Sequence, residues 1–237
     1  MLRGSLDGLW RSSAMVDDFP AWVIAAFPEL VAQYASLAGD LASEWYDEAA
    51  PTLAFQATPA PLPPMEKWAA TASWAMHVGD AASSLGLLAG SAQRGVFNQY
   101  RTTIIANANA EGAAWARHAS ANACPFCRML ATRGAVYASE SSATRVGGRG
   151  KVATPNQPAR RGRKAGGIRV RGTQALGDKY HDNCHCIAVE VRPGGAYQPP
   201  PYVSQWQDEY KRASAAAGNG KGAGSTQDIQ RIMREGV

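Results

Sequence analysis

A chain of 237 residues, 46% hydrophobic and 18% charged, can bury one substantial core, or one core with an appended unit. No unbroken apolar run of about 18 residues is present, which argues against a transmembrane helix, and Met1 to Trp10 lacks the long apolar segment of a secretory signal. The net charge of +5 conceals a split: residues 1–120 carry six Lys/Arg against eleven Asp/Glu, a balance of −5, whereas residues 121–237 carry eighteen against eight, a balance of +10. A basic second half points to a polyanion or an acidic partner, with a solvated basic loop as the plain alternative.

The first half reads as helical. Phe27, Leu30, Tyr34, Leu37, Leu41 and Trp45 recur at steps of three or four, which predicts one apolar helix face, with Pro28 and Glu29 placed in its first turn. The helical pattern begins near Met15, which leaves Met1 and Met15 as alternative starts. Pro51, Pro59, Pro61, Pro63 and Pro64 then break the pattern over 51–64, in a linker or an extended crossing. From Met65 to Cys124 there is no proline, and two or three helices are expected, the last with Val96, Tyr100 and Ile104 on one face. Gly79, Gly86, Gly90 and Gly95 are expected at helix ends or close helix contacts, and Trp68, Trp74 and Trp115 in the core.

After Cys127 the pattern changes. Gly134 to Tyr137 suggests a short strand, and residues 141–174 are rich in Gly, Ser and Arg without apolar periodicity. Arg145, Arg149, Lys151, Arg160, Arg161, Arg163, Lys164, Arg169 and Arg171 place nine cations in 27 residues with no acid between them. This predicts a long basic loop, with a hairpin near Ile168 to Val170, suited to sequence-independent contact with DNA phosphates or with an acidic scaffold protein. Ile187, Val189 and Val191 alternate with Ala188 and Glu190 as a half-buried strand. Trp206 and Tyr210 mark a helix, a Gly/Ala linker follows at 215–224, and Ser225 to Asp228 can cap a terminal helix carrying Ile229, Ile232 and Met233. So short a helix must dock to be stable.

The four cysteines fall into two tight groups, Cys124-Pro-Phe-Cys127 and His181-Asp-Asn-Cys184-His-Cys186. Thiolate and imidazole are the donors zinc selects, and C-x-x-C sets two of them on one knuckle. Cys124, Cys127, His181 and Cys184 form the preferred tetrahedral set, with Cys186 able to replace either member of the second pair. Asp182 and His185 are available to support the ligands. Such a clamp closes a 53-residue excursion between Cys127 and His181, offsetting its loop-closure entropy. Buried unliganded cysteines, a redox pair and disulfides are the alternatives. A reducing cytoplasm favours metal over disulfides, and strand–helix alternation of a thioredoxin type is missing.

The spacing of Cys124-x-x-Cys127, the Gly-Ala-Val-Tyr segment and the His181-to-Cys186 group leading into a strand resembles the MuF-like minor head proteins of tailed phages. The version from actinobacterial phages and prophages is most similar, through Glu44-Trp-Tyr-Asp-Glu48. The resemblance runs from about Met15 onward, and the basic insert exceeds the family pattern. It implies a procapsid protein, made in the bacterial cytoplasm and carried in the virion head. It implies a role in head assembly or DNA delivery, with portal, scaffold or major capsid protein as partner.

Similar actinobacterial proteins are often labelled capsid maturation proteases, the second functional class. For that chemistry the local pair is His118 and Ser120, but residues two apart point away from one another on a strand or helix. No Gly-x-Ser-x-Gly elbow or His-Glu-x-x-His motif is present. The expected fold is α+β: a helical N-terminal half, then a small metal-clamped α/β half with a long basic loop and a short terminal helix. Its expected parts are 1–50 helical, 51–64 Pro-rich linker, 65–123 helical core, 124–192 zinc-clamped with insert 141–174, and 193–237 a tail of docking helices. No membrane partner is expected.

Overall fold

The computed structural model describes residues 1–13, 16–134, 146–147, 170–171, 185–218 and 226–236. Two units organise the chain: Met1–Glu111 with Tyr180–Glu190, and Gly112–Lys179 with Val191–Val237.

The first unit is built around α2 (Phe19–Glu48). Asp18 starts it, its side chain accepting the Ala21 N–H at 3.1 Å, and Pro20 fits the first turn, where its missing N–H costs nothing. The helix therefore begins nine residues before Pro28, which lies buried inside it rather than in its first turn. The buried face also departs from expectation. Val23, Phe27, Val31, Ala35, Gly39, Ala42 and Tyr46 are buried, whereas Leu37, Leu41 and Trp45 are 52%, 53% and 37% exposed. Small residues are buried here because neighbouring chain comes close: a Cβ on Gly39 would lie 3.4 Å from the Gln99 side chain and from Pro59.

Three helices surround α2: α1 (Leu2–Ser13), α3 (Met65–Val78) and α4 (Ala81–Glu111). The α1 helix falls within the stretch 1–50 expected as helical, ahead of the apolar pattern near Met15, and its Leu6 is fully buried with Val23, Phe27, Trp68, Leu88 and Ala92. Asp80 opens α4, its carboxylate accepting the Ser83 N–H at 2.9 Å. Gly95 allows the helices to approach, since a Cβ there would lie 3.1 Å from Val31 Cγ1 and 3.2 Å from Trp68 Nε1. Trp74, expected in the core, is 49% exposed on the outer side of α3. By length and composition α2 also passes the test for a membrane-crossing helix, against the sequence expectation. The same test admits the core helix of a soluble protein, and nine α2 residues are buried in this unit.

The proline-rich stretch is an extended strap held to α4 by a polar row. Asn107 accepts the Thr58 N–H at 3.0 Å and donates to the Thr58 carbonyl at 2.9 Å. Thr103 accepts the Ala60 N–H at 3.1 Å, and the Gln99 amide donates to the Ala60 carbonyl. Gln99, Thr103 and Asn107 stand four residues apart, so one helix face satisfies the backbone of a segment with no secondary structure of its own. At the strap's start, Asp47 accepts the Ala57 N–H at 2.8 Å.

In the second unit β1 (Ala114–His118) leads to α5 (Pro125–Ala131), and the chain ends in α6 (Tyr202–Gly218) and α7 (Thr226–Glu235). The helix α6 runs into the expected linker because Ala215 to Ala217 favour helix. The terminal helix docks as its apolar residues require: Ile229, Ile232 and Met233 are buried with Met129 and Leu130 of α5 and Ala213 of α6. The strand β2 (Val146–Gly147) pairs antiparallel with β3 (Val170–Arg171), in register Val146 to Arg171. This pairs residues near the two ends of the basic insert; Ile168 and Arg169, where a hairpin was expected, lie outside the described residues. The strand expected after Cys186 is present as β4 (Ile187–Val191), whose residues up to Glu190 belong to the first unit. Apart from Gly134, the segment expected as a strand at 134–137 lies outside the described residues.

Candidate metal centre and its anchors

Cys124 sits at the head of α5 in extended conformation (φ −65°, ψ 160°), and Pro125 opens the first turn. Cys127 follows within that turn and is 2% exposed, while Cys124 is half-buried. Arg128 fixes this knuckle from below. Its Nε donates to the Ala123 carbonyl at 2.7 Å, its Nη1 pairs with Glu209 at 3.3 Å, and its guanidinium lies 6.0 Å from the Trp206 ring. The backbone before Cys124 is thus tied to α6 through one side chain.

The second cysteine segment is held by α4. Cys186 is 2% exposed, and its carbonyl accepts Nε of Arg101 at 2.6 Å. Arg101, only 1% exposed, also donates to Asn98 Oδ1 at 2.8 Å and lies 5.3 Å from the Phe97 ring centre. The His185 ring stacks on Phe97 at 5.5 Å and 12°, and His185 Nε2 meets the Gln93 amide. Gln93, Phe97 and Arg101 are again four residues apart, a second row on α4 that lays residues 185 and 186 along the helix. Below them Tyr100 is pushed up to about 12, by burial first and then by the Glu190 carboxylate.

Among the described thiols Cys124 is half-buried and Cys127 and Cys186 are buried, and Arg128 and Arg101 hold the backbone beside them. His181, Asp182 and Cys184 lie outside the described residues, as do Arg145, Arg149, Lys151, Arg160, Arg161, Arg163, Lys164 and Arg169; Arg171 lies in β3. Among the described residues no three His, Cys, Asp or Glu side chains form a metal-holding group. His185 is occupied by Phe97 and Gln93, the supporting position that sequence left unassigned.

His118 and Ser120 have separate partners. The Ser120 hydroxyl donates to Asn122 Oδ1 at 2.8 Å, and His118 Nδ1 meets the Tyr197 hydroxyl at 3.3 Å. Burial lowers the His118 pKa below its ordinary value, and burial raises that of Tyr197, so this pair favours its uncharged form. Tyr202 holds the same corner by donating to the Ala119 carbonyl at 2.8 Å. A cavity of about 410 Å³ in the first unit, lined by Pro61, Lys67, Trp68, Arg94 and Asn98 among others, contains none of the candidate metal-ligating, catalytic or basic-insert residues.

Sequence reasoning missed Arg101, Arg128 and Phe97. Arg101 offered one signal: it stands four residues beyond Phe97 and eight beyond Gln93, in a helix whose other charged residues are only Arg94 and Glu111.

Residues 1–213 match the family model described as VG15 protein. No curated protein and no solved structure matches the chain. With most of its length matched, the chain belongs to the VG15 protein family, which points to a phage-encoded protein.

Proposed function

We propose that this chain is a minor head protein of the MuF-like type, acting in procapsid assembly and head morphogenesis. In this reading Cys124, Cys127, His181 and Cys184 hold a structural zinc, with Cys186 as the alternative ligand beside them. A four-ligand zinc keeps no open position and serves to fix the two cysteine segments. The observation that carries the proposal is their anchoring: Arg128 holds the backbone before Cys124, and buried Arg101 holds the carbonyl of Cys186. Both arginines hold backbone in place, as a brace requires.

The basic residues from Arg145 to Arg171 then contact packaged DNA without sequence preference, or an acidic scaffold protein. Portal, scaffold or major capsid protein is the docking partner, and the virion head is the site of action. The other reading, a capsid maturation protease using His118 and Ser120, draws no support from their hydrogen bonds, which lead to Tyr197 and Asn122.

The test is co-expression with the scaffold and major coat proteins of the same phage. The shells are purified by sedimentation and intact protein masses are measured. The proposal expects this chain in the shells and unchanged coat and scaffold masses. Truncation that occurs only in its presence would overturn it in favour of the protease.

A further inference from the structure

The outer face of α2 carries two parallel rows. Leu37, Leu41 and Trp45 form an apolar row at four-residue steps, with exposures of 52%, 53% and 37%. Asp40, Glu44 and Glu48 form a second row at the same spacing, three residues further on, and all three are exposed. Four-residue steps stack side chains one above the other, so the acidic row runs beside the apolar one along about 12 Å of helix. In the first half of α2 the corresponding positions are covered: Val23 and Phe27 are buried with Leu6 of α1, and Leu30 packs against the same core. From Leu37 onward no such cover is present among the described residues, and a large apolar stripe facing water is costly unless something docks on it.

The charges say what docks. The helix α2 holds five acids (Glu29, Asp40, Glu44, Asp47 and Glu48) and not one Lys or Arg. A second copy of the chain packed α2 against α2 would set acidic row against acidic row, an arrangement that like-charge repulsion opposes. An anionic lipid surface meets the same objection.

We propose that this face of α2 is a docking site for an amphipathic helix of a partner protein, with an apolar seam flanked by a row of Lys or Arg. The partner's apolar residues cover Leu37, Leu41 and Trp45 in helix-in-groove fashion, and its cations meet Asp40, Glu44 and Glu48. The opposite charge sets the partner helix's register along α2 and discriminates against acidic helices. The site does not depend on the metal or on the head-protein reading.

The experiment uses the full chain and two fluorescein-labelled synthetic helical peptides with the same leucine seam. One carries Lys along both flanks and the other Glu, and binding is read by anisotropy at low and high salt. The Lys peptide should bind at least about tenfold more tightly than the Glu peptide, and the preference should shrink as salt screens it. Leu41→Glu, at an exposed position that leaves the core intact, should abolish binding, and Glu44→Lys, which takes the acidic row from −3 to −1, should shrink the preference. Equal binding of both peptides, no binding of the Lys peptide, or binding that survives Leu41→Glu would overturn the proposal. So would a concentration-dependent dimer in sedimentation that Leu41→Glu dissolves, which would assign the face to a second copy.

Discussion

Replacing Asn107 by Ala tests whether the proline-rich strap is part of the folded unit or merely lies on it. The Asn107 amide accepts the Thr58 N–H at 3.0 Å and donates to the Thr58 carbonyl at 2.9 Å, from a position only 4% exposed. Its removal leaves both backbone groups of Thr58 without their partner, and a truncated buried side chain adds a small void. Two such bonds at about 1–1.5 kcal/mol each, with the void, give a loss of ~2–4 kcal/mol. In a unit of this size that is a fall in Tm of roughly 6–15 °C. The assay is thermal and urea unfolding followed by circular dichroism, with Thr103→Val as a milder control that loses the bond to Ala60 N–H alone. Limited proteolysis should also cut Asn107→Ala within residues 51–64 faster than wild type, because release of the strap exposes backbone. A variant that melts within about 1 °C of wild type and is cut no faster would refute the ladder as a stabilising element.

The anchor of the second cysteine segment makes a related demand. Arg101→Lys keeps the charge but loses the planar fork that bonds the Cys186 carbonyl, reaches Asn98 and lies beside Phe97. It should lower stability by ~2–4 kcal/mol, and on the proposed zinc reading it should weaken metal retention by about tenfold or more, read by chelator competition; wild-type retention would remove Arg101 from that reading. The Tyr100 phenol is raised from its ordinary value of 10.0 to about 12. A folded-state pKa above the unfolded one favours the folded chain while the phenol keeps its proton, so this contribution is whole below pH 10 and is lost as pH rises to 12. Tyr100→Phe should therefore show a shallower fall of the urea midpoint across that window than wild type, and an identical fall would contradict the assignment.

Much of the architecture was legible because it rests on periodicity. The strand at 187–191 and the docked terminal helix follow from Ile187, Val189 and Val191 and from Ile229, Ile232 and Met233, whose spacing allows one buried face. The orientation of α2 was not legible. Its contact face uses Ala35, Gly39 and Ala42, chosen for close approach and not for hydrophobicity, while its largest side chains, Leu37, Leu41 and Trp45, face outward. A hydrophobicity pattern ranks these two faces in the wrong order. The helix start was misplaced for a related reason: Pro28 is a favourable first-turn residue, but Asp18 and Pro20 supply the same signal earlier in the chain.

At the candidate site, the cysteine spacing points to a ligand pair because two thiols three residues apart at a turn are a local property. Their supports are long-range. Arg101 and Cys186 stand 85 residues apart and Arg128 and Glu209 stand 81 apart, and such pairings arise only once the helices have packed. The polar rows of α4 illustrate the same limit. Gln99, Thr103 and Asn107 look like a solvated face until the strap crosses them, and only the backbone demand of residues 57–60 explains why they are buried.

The most direct measurement is the zinc content of the full-length protein by native mass spectrometry, for wild type, Cys124→Ser and Cys184→Ser. The metal-brace reading predicts one tightly held zinc per chain in wild type, lost in both variants together with a lower Tm. Wild-type protein without zinc, or variants that keep the metal and melt like wild type, would contradict it.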